Sequence, residues 1–259
     1  MKHIALVTGA SSGVGREFVA QFASGAGSQL DEIWIIARRE DELLRIANGS
    51  SDIMIRPIPL DLTHDESFEE LERLLEVDEY RIQWLVNCAG FGKFGAYSSM
   101  DRQTLSQMVR LNCLGVVSTM SLALPHMSAG SRIINMASIA GAIPQPQLAV
   151  YSATKAFVLE LTRMLDFELR GTGIHATAVC PKFMETAFLD APGDAKVAQA
   201  MCKIGFQDVS SVVRMSLAAS LLGRPVCIPS LDMRIAALAA KLLPRQSLYW
   251  IESTLLGTR

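Results

Sequence analysis

The chain has 259 residues, half of them hydrophobic, with 24 basic against 26 acidic side chains and a net charge of −2. That length supports one substantial core, and without a basic stretch or charge block nothing points to nucleic acid. No uninterrupted apolar run reaches the ~18 residues of a membrane span, and the first residues run straight into an apolar segment, which leaves no room for a signal peptide.

Ile4–Val7 reads as a strand buried on both faces. A glycine-rich turn follows, Val7-Thr8-Gly9-Ala10-Ser11-Ser12-Gly13-Val14-Gly15, and then a helix over Val14–Ala23 with Phe18, Val19 and Phe22 inward. Strand, glycine turn and helix form the context of a dinucleotide fingerprint. The glycines allow a tight turn and a close approach to a pyrophosphate, and the helix N-terminus offers free N–H groups and a positive dipole end. Further strands are expected at Ile33–Ala37, Ile53–Ile58, Trp84–Cys88, Arg132–Met136, Ile174–Cys180 and Pro225–Ile228. Helices are expected at Glu40–Ala47, Asp65–Val77, Asp101–Met127, Val150–Leu169 and Val209–Leu222. This alternation implies an α/β fold: a Rossmann-type, doubly wound, mostly parallel seven-stranded sheet with helices on both faces. Ligand sites in such sheets lie beyond the carboxyl ends of the strands. No linker or repeat interrupts the pattern, so residues 1–259 read as one domain, with 183–206 as a substrate loop and 231–259 as a C-terminal helical extension.

Tyr151 and Lys155 stand four apart on the expected helix Val150–Leu169, on one face. A cationic neighbour favours the phenolate, so it would lower the tyrosine pKa from about 10 and make the phenol a proton donor and acceptor near neutral pH. Ser138 could hydrogen-bond the same reacting oxygen. Alone, the YxxxK spacing is also satisfied by a half-buried Tyr beside a snorkelling Lys; the glycine turn upstream gives it weight. The five cysteines (Cys88, Cys113, Cys180, Cys202, Cys227) form no CxxC pair and read as small buried side chains of a reducing cytoplasm. The scattered histidines suggest no metal site.

Together these residues resemble the classical branch of the short-chain dehydrogenase/reductase family. The glycine spacing is TGxxxGxG; Asn87-Cys88-Ala89-Gly90 stands where the family usually has NNAG; Asn112, Ser138, Tyr151, Lys155, Pro181 and Thr186 follow in order. The resemblance spans roughly residues 2 to 230 and implies hydride transfer at a carbonyl or secondary alcohol carbon. By that resemblance Tyr151 exchanges the proton with the substrate oxygen, Lys155 lowers the Tyr151 pKa and binds the nicotinamide ribose, and Ser138 polarises the carbonyl. The resemblance further implies that Asn112 distorts its helix and holds a water in a proton relay; an interior Asn is a poor helix residue, consistent with a functional cost.

The resemblance also implies cofactor contacts at Gly9, Ser11, Ser12, Gly13, Val14, Gly15, Asp61, Leu62, Asn87, Ala89, Gly90, Tyr151, Lys155, Pro181, Phe183 and Thr186. After the second strand, Ala37 holds the place of the acidic residue that selects NAD, and Arg38 and Arg39 follow. This favours NADP(H), with Arg38 the better candidate for the 2′-phosphate and Arg39 second, and NAD(H) as the alternative. Asp61 would accept from the adenine amino group, with Thr63 capping the helix at Asp65. Lys182 departs from the family's Pro-Gly, and a positive φ there would be costly for Lys. It could also face the substrate entrance and attract an acidic substrate, but a solvated surface Lys accounts for it at least as well.

The candidate substrate loops Phe91–Tyr97, Ile139–Leu148 and Phe183–Phe206 are apolar and carry few charges. They favour a sizeable hydrophobic carbonyl or alcohol, such as a steroid-like ketone or a 3-ketoacyl compound; the fold is shared across such substrates. The alternative function is a catalytically silent dinucleotide-binding regulator, which the complete set Asn112, Ser138, Tyr151 and Lys155 disfavours. Leu231–Leu243 and Ser247–Leu256 read as amphipathic helices that cover the core or a dimer partner. A membrane-surface arm, with Arg234, Lys241 and Arg245 towards headgroups, ranks below that because the basic face is thin. The family suggests a cytoplasmic homodimer or homotetramer built on Asp101–Met127 and Val150–Leu169.

Overall fold

The computed structural model describes residues 1–27, 30–49, 52–76, 80–143, 145–184 and 205–255. Apolar runs form the seven strands: β1 (Lys2–Thr8), β2 (Glu32–Ala37), β3 (Met54–Pro59), β4 (Tyr80–Asn87), β5 (Arg132–Met136), β6 (His175–Val179) and β7 (Val226–Cys227). They pair in parallel in the order β3-β2-β1-β4-β5-β6-β7. β3 is an edge strand, which lets it carry Pro57 and Pro59, residues that cannot donate to a ladder.

Alternate side chains of each strand feed two separate cores. Ile4, Leu6, Trp34, Ile36 and Ile133 meet Leu71, Leu75, Val116, Met120 and Val158 on one face. Ala5, Val7, Ile33, Ile35 and Ile134 meet Phe18, Phe22, Leu43, Val213 and Leu217 on the other. Each such fully buried Leu, Ile or Phe contributes roughly 1.5–3 kcal/mol. The strand order reverses between β1 and β4, and the crevice beyond their carboxyl ends is the position such folds reserve for ligands.

The helices are α1 (Gly13–Ala23), α2 (Glu40–Ala47), α3 (Glu66–Glu76), α4 (Arg102–Val109), α5 (Gly115–Ala123), α6 (Ile139–Ala142), α7 (Ala149–Glu168), α8 (Val209–Leu221), α9 (Leu231–Leu242) and α10 (Arg245–Leu255). Asp101 caps α4 by accepting from the Thr104 N–H at 2.8 Å, and Asp208 caps α8 by accepting from Ser211 at 2.8 Å. Thr63 does not cap α3. It donates to Asp61 (2.8 Å), and the Asp65 carbonyl accepts the N–H groups of Phe68 and Glu69.

The single helix expected over Asp101–Met127 is divided. A π-helical turn, Arg110–Leu114, joins α4 to α5, and a 3₁₀ turn, Leu124–His126, ends the run. Residues Arg102–His126 contain a window of mean hydropathy 1.3, long and apolar enough to cross a membrane by composition. Polar side chains interrupt it, so a search for unbroken apolar runs passes over it. In the fold its Met108, Val116, Thr119, Met120 and Ala123 are buried. In the C-terminal extension, Ala237, Met233 and Ala240 of α9 pack on Ile139 and Ile143. Its opposite face, with Leu231, Ile235, Leu238 and Leu242, is 63–81% exposed.

Candidate active site

The glycine turn after β1 is shaped for a close backbone approach. Gly9 and Gly13 have φ of 66° and 54°, which favour glycine. A Cβ on Gly9 would lie 2.7 Å from the Ala89 nitrogen, and one on Gly15 would lie 2.3 Å from the Gly9 carbonyl. Ser12 occupies the N-cap of α1 in extended conformation without a side-chain capping bond, so the first N–H groups of α1 remain available to an anion. Thr8 Oγ1 accepts from the Ala89 N–H (3.1 Å) and ties this turn to the end of β4.

The turn opens into a cleft of about 480 Å³. It is bordered by every expected cofactor residue from Gly9 to Gly15, by Arg38, Arg39, Asp61, Leu62, Ala89, Gly90, Pro181 and Phe183, and by Ser138, Tyr151 and Lys155. Thr186 lies outside the described residues. The volume, the bare glycine cradle and the open helix N-terminus fit a dinucleotide. Asn87 does not border the cleft. It is buried between β4 and β5, where its Nδ2 donates to Asn135 (2.9 Å) and its Oδ1 accepts from Thr119 (2.8 Å). Asn135 in turn donates to Thr162 (2.9 Å), so Asn87 belongs to a buried polar ladder that pins α5 and α7 to the sheet.

At the far end of β2 the two arginines differ. Arg39 donates to Ser11 Oγ at 3.0 Å, inside the glycine turn. Arg38 is 70% exposed, with its guanidinium 3.8 Å from Asp61 Oδ2. It is the Arg39 guanidinium that the end of β2 turns toward the glycine turn, while Arg38 lies at the Asp61 side of the same cleft. Asp61 Oδ1 holds a local turn by accepting from the Thr63 N–H and hydroxyl (3.0 and 2.8 Å), while its other oxygen faces Arg38.

Ser138 ends the segment after β5 and caps α6, accepting from Ala140 at 3.2 Å. Tyr151 and Lys155 rise from the first turns of α7. Tyr151 hydrogen-bonds the Ser138 side chain, and Lys155 Nζ stands 5.8 Å from the Tyr151 ring centroid. Lys155 Nζ also donates to the Met136 carbonyl at 2.6 Å, which fixes the ammonium at the sheet end. α6 can approach α7 only because Gly141 has no side chain; a Cβ there would lie 2.6 Å from the Lys155 carbonyl carbon and oxygen.

The electrostatics differ from the sequence expectation. Burial pushes the Tyr151 phenol up to about 12, and the bond to Ser138 only partly offsets it. Burial also pulls Lys155 down to about 8, with Cys88, Cys113 and Cys180 acting in the opposite direction. For both side chains desolvation is the largest cause. A phenol bonded to a hydroxyl and set beside a buried amine of near-neutral pKa can pass a proton to or from a small-molecule oxygen.

Asn112 sits at the centre of the π turn with no exposed surface. Its Oδ1 accepts from the Phe91 N–H (3.0 Å), and its Nδ2 donates to the Phe91 carbonyl (2.9 Å) and to Thr154 (3.1 Å). It thereby clamps the segment after β4 against the helix that carries Tyr151 and Lys155. Gly90 makes room for it, since a Cβ there would meet Asn112 Oδ1 at 2.9 Å. Thr154 and Gly141 carried no motif of their own; only the proximity of small and polar residues to YxxxK could have marked them.

Lys182 does not adopt a positive φ; among the described non-glycine residues only Gln147 does, at 66°. Its ammonium bonds Asp232 of α9 at 2.9 Å, and this ion pair ties the segment after β6 to the C-terminal extension instead of presenting an unpaired charge to substrate. Phe91, Ile139, Phe183 and Met184 give the cleft an apolar lining, with Gln145 at its border, and the Phe94 and Phe183 rings are 6.4 Å apart. Most of the expected loop Phe183–Phe206 falls outside the described residues.

With this geometry in place, the chain belongs to the short-chain dehydrogenase family: residues 3–196 match the profile described as short chain dehydrogenase. An uncharacterised oxidoreductase of Staphylococcus aureus (strain N315) is 30% identical over 218 residues, covering 83% of this chain and 90% of the relative. A short-chain dehydrogenase from Sphingobium yanoikuyae, solved in complex with NADPH, matches with a TM-score of 0.78 and 27% identity over 96% of this chain and 95% of that one. The bulky-bulky ketone specific alcohol dehydrogenase from Comamonas testosteroni matches with a TM-score of 0.74 and 27% identity over 96% and 94%. The protein is an oxidoreductase that acts on CH–OH groups of small molecules with a nicotinamide dinucleotide.

Proposed function

We propose that the enzyme is an NADP(H)-preferring carbonyl reductase or alcohol dehydrogenase for hydrophobic substrates. The observation that carries this reading is the meeting of Ser138, Tyr151 and Lys155 in one cleft with the glycine turn. When bound, the nicotinamide dinucleotide supplies or accepts the hydride. Gly9 to Gly15, Asp61, Leu62, Ala89, Gly90, Pro181 and Phe183 would hold it. Tyr151 gives its proton to the carbonyl oxygen in reduction and takes it back in oxidation. Ser138 donates to the same oxygen and orients it, and the Lys155 charge supports the phenolate that reduction leaves behind. Asn112 positions Phe91 and α7, through the bonds already described, and keeps the cleft in register.

Ala37 leaves room for a 2′-phosphate and Arg39 lies within reach of the turn, which supports NADP(H). The apolar lining of the cleft supports a large hydrophobic carbonyl compound, in keeping with the bulky-ketone specificity stated for the Comamonas enzyme. The exposed apolar side chains of α4, the π turn, α5 and α7, Val109, Leu114, Val117, Phe157, Met164 and Phe167, support a homodimer formed across these helices. The test is oxidation of NADPH and of NADH, followed by absorbance, against a panel of bulky aryl, steroidal and alkyl ketones. Turnover with a preference for NADPH is expected. Equal rates with both cofactors would remove the NADP assignment, and failure on every ketone with NADPH bound would remove the substrate class.

A further inference from the structure

A second groove, of about 1080 Å³, lies beside the catalytic cleft, and Gln145 borders both. One wall is the face of α7 turned away from the site. Ala149, Ala153 and Ala156 recur there at i, i+4 and i+7 with Ser152 beside them, so this helix face carries only small side chains. The facing wall belongs to the C-terminal extension and presents Tyr249 and Trp250, which are 48% and 54% exposed. Among the described residues that border the groove, Lys241 is the only charged one.

We propose that this groove receives the distal end of the substrate. The class it fits is an apolar chain or fused-ring skeleton with the reacting carbonyl at one end and a carboxylate or similar anion at the other. Three observations support this occupant. Gln145 borders both spaces, so an extended molecule that passes this side chain can reach from one to the other. The groove's lining of alanines and aromatic faces suits hydrocarbon. Its lone cation selects an anionic terminus over a cationic one. The proposal rests on the carbonyl-oxidoreductase reading of the cleft and extends it to the length and terminal charge of the substrate.

The test uses straight-chain methyl ketones from butanone upward and their ω-carboxylate counterparts, with wild type, Ala153→Phe and Lys241→Gln. Once the chain is long enough to pass Gln145, kcat/KM should rise about fourfold per added methylene. Ala153→Phe should flatten that rise and leave butanone unchanged. Lys241→Gln should lower kcat/KM for the ω-carboxylates alone. A second readout needs no turnover: Trp34 and Trp84 are 0% and 1% exposed, whereas Trp250 is 54% exposed. Titration with decanoate should shift the tryptophan emission to the blue in wild type and fail to do so in Ala153→Phe. Reduction of ketones with a flat chain-length series and no emission shift would overturn the groove assignment and leave the activity standing. A saturable shift without turnover of any ketone would keep the groove and overturn the reading of the activity.

Discussion

Arg39→Ala is the substitution that best separates the two arginines after β2. Arg39 reaches Ser11 Oγ at 3.0 Å, so a 2′-phosphate accommodated beside Ala37 meets this guanidinium at once. A hydrogen bond to a charged group contributes about 1.5–3 kcal/mol. The side chain is exposed and screened by water, so the low end applies, and the KM for NADPH should rise roughly fivefold to tenfold. The KM for NADH should not move, because NADH has no phosphate there. Arg38→Ala should change the NADPH value by less than about twofold, since that side chain is 70% exposed and 3.8 Å from Asp61. Initial-rate kinetics with both cofactors on one ketone measure all four numbers. A larger effect from Arg38 than from Arg39, or an equal loss with NADH, would refute the reasoning.

Gly141→Ala should destabilise the fold by about 2–3 kcal/mol, because its Cβ would lie 2.6 Å from backbone atoms of Lys155 and α6 and α7 would have to separate; an unchanged urea midpoint would contradict this. The profile of kcat/KM against pH reports groups of the free enzyme. With Lys155 pulled down to about 8, its charge is present below that pH and lost above it. Ketone reduction should therefore fall about tenfold per unit above pH ~8, and a profile flat from pH ~7 to ~10 would show that this charge is not needed. Phe157→Glu, at a position 43% exposed on α7, should convert the expected dimer to monomer in analytical ultracentrifugation; an unchanged sedimentation coefficient would move the interface elsewhere.

The parallel sheet was legible because its strands are uniform apolar runs with helical patterns between them. β5 (Arg132–Met136) and α2 (Glu40–Ala47) have the bounds that the sequence suggests. What was illegible depends on tertiary contacts. The break in the helix expected over Asp101–Met127 follows from Asn112 bonding both backbone atoms of Phe91, twenty-one residues earlier. The four residues of α6 are too few to show a period. The pairing of Tyr151 with Lys155 was visible in the motif, but the direction of the Tyr151 shift was not, because burial is a property of the folded cleft. Similarly, Asn87 was read from its motif as a cofactor contact, and Lys182 as a departure from the family's Pro-Gly that could face the substrate entrance. In the fold one braces the sheet, and the other, still at the cleft edge, pairs with α9.

The central claim is that Tyr151 is the proton donor of a ketone reductase. The direct test is Tyr151→Phe, with NADPH turnover and NADPH affinity measured on the same preparation. Removal of a general acid costs about a hundredfold or more in rate, so kcat should fall by at least that factor while the NADPH Kd stays within about twofold and the melting temperature is unchanged. Near-full turnover by Tyr151→Phe would contradict the account.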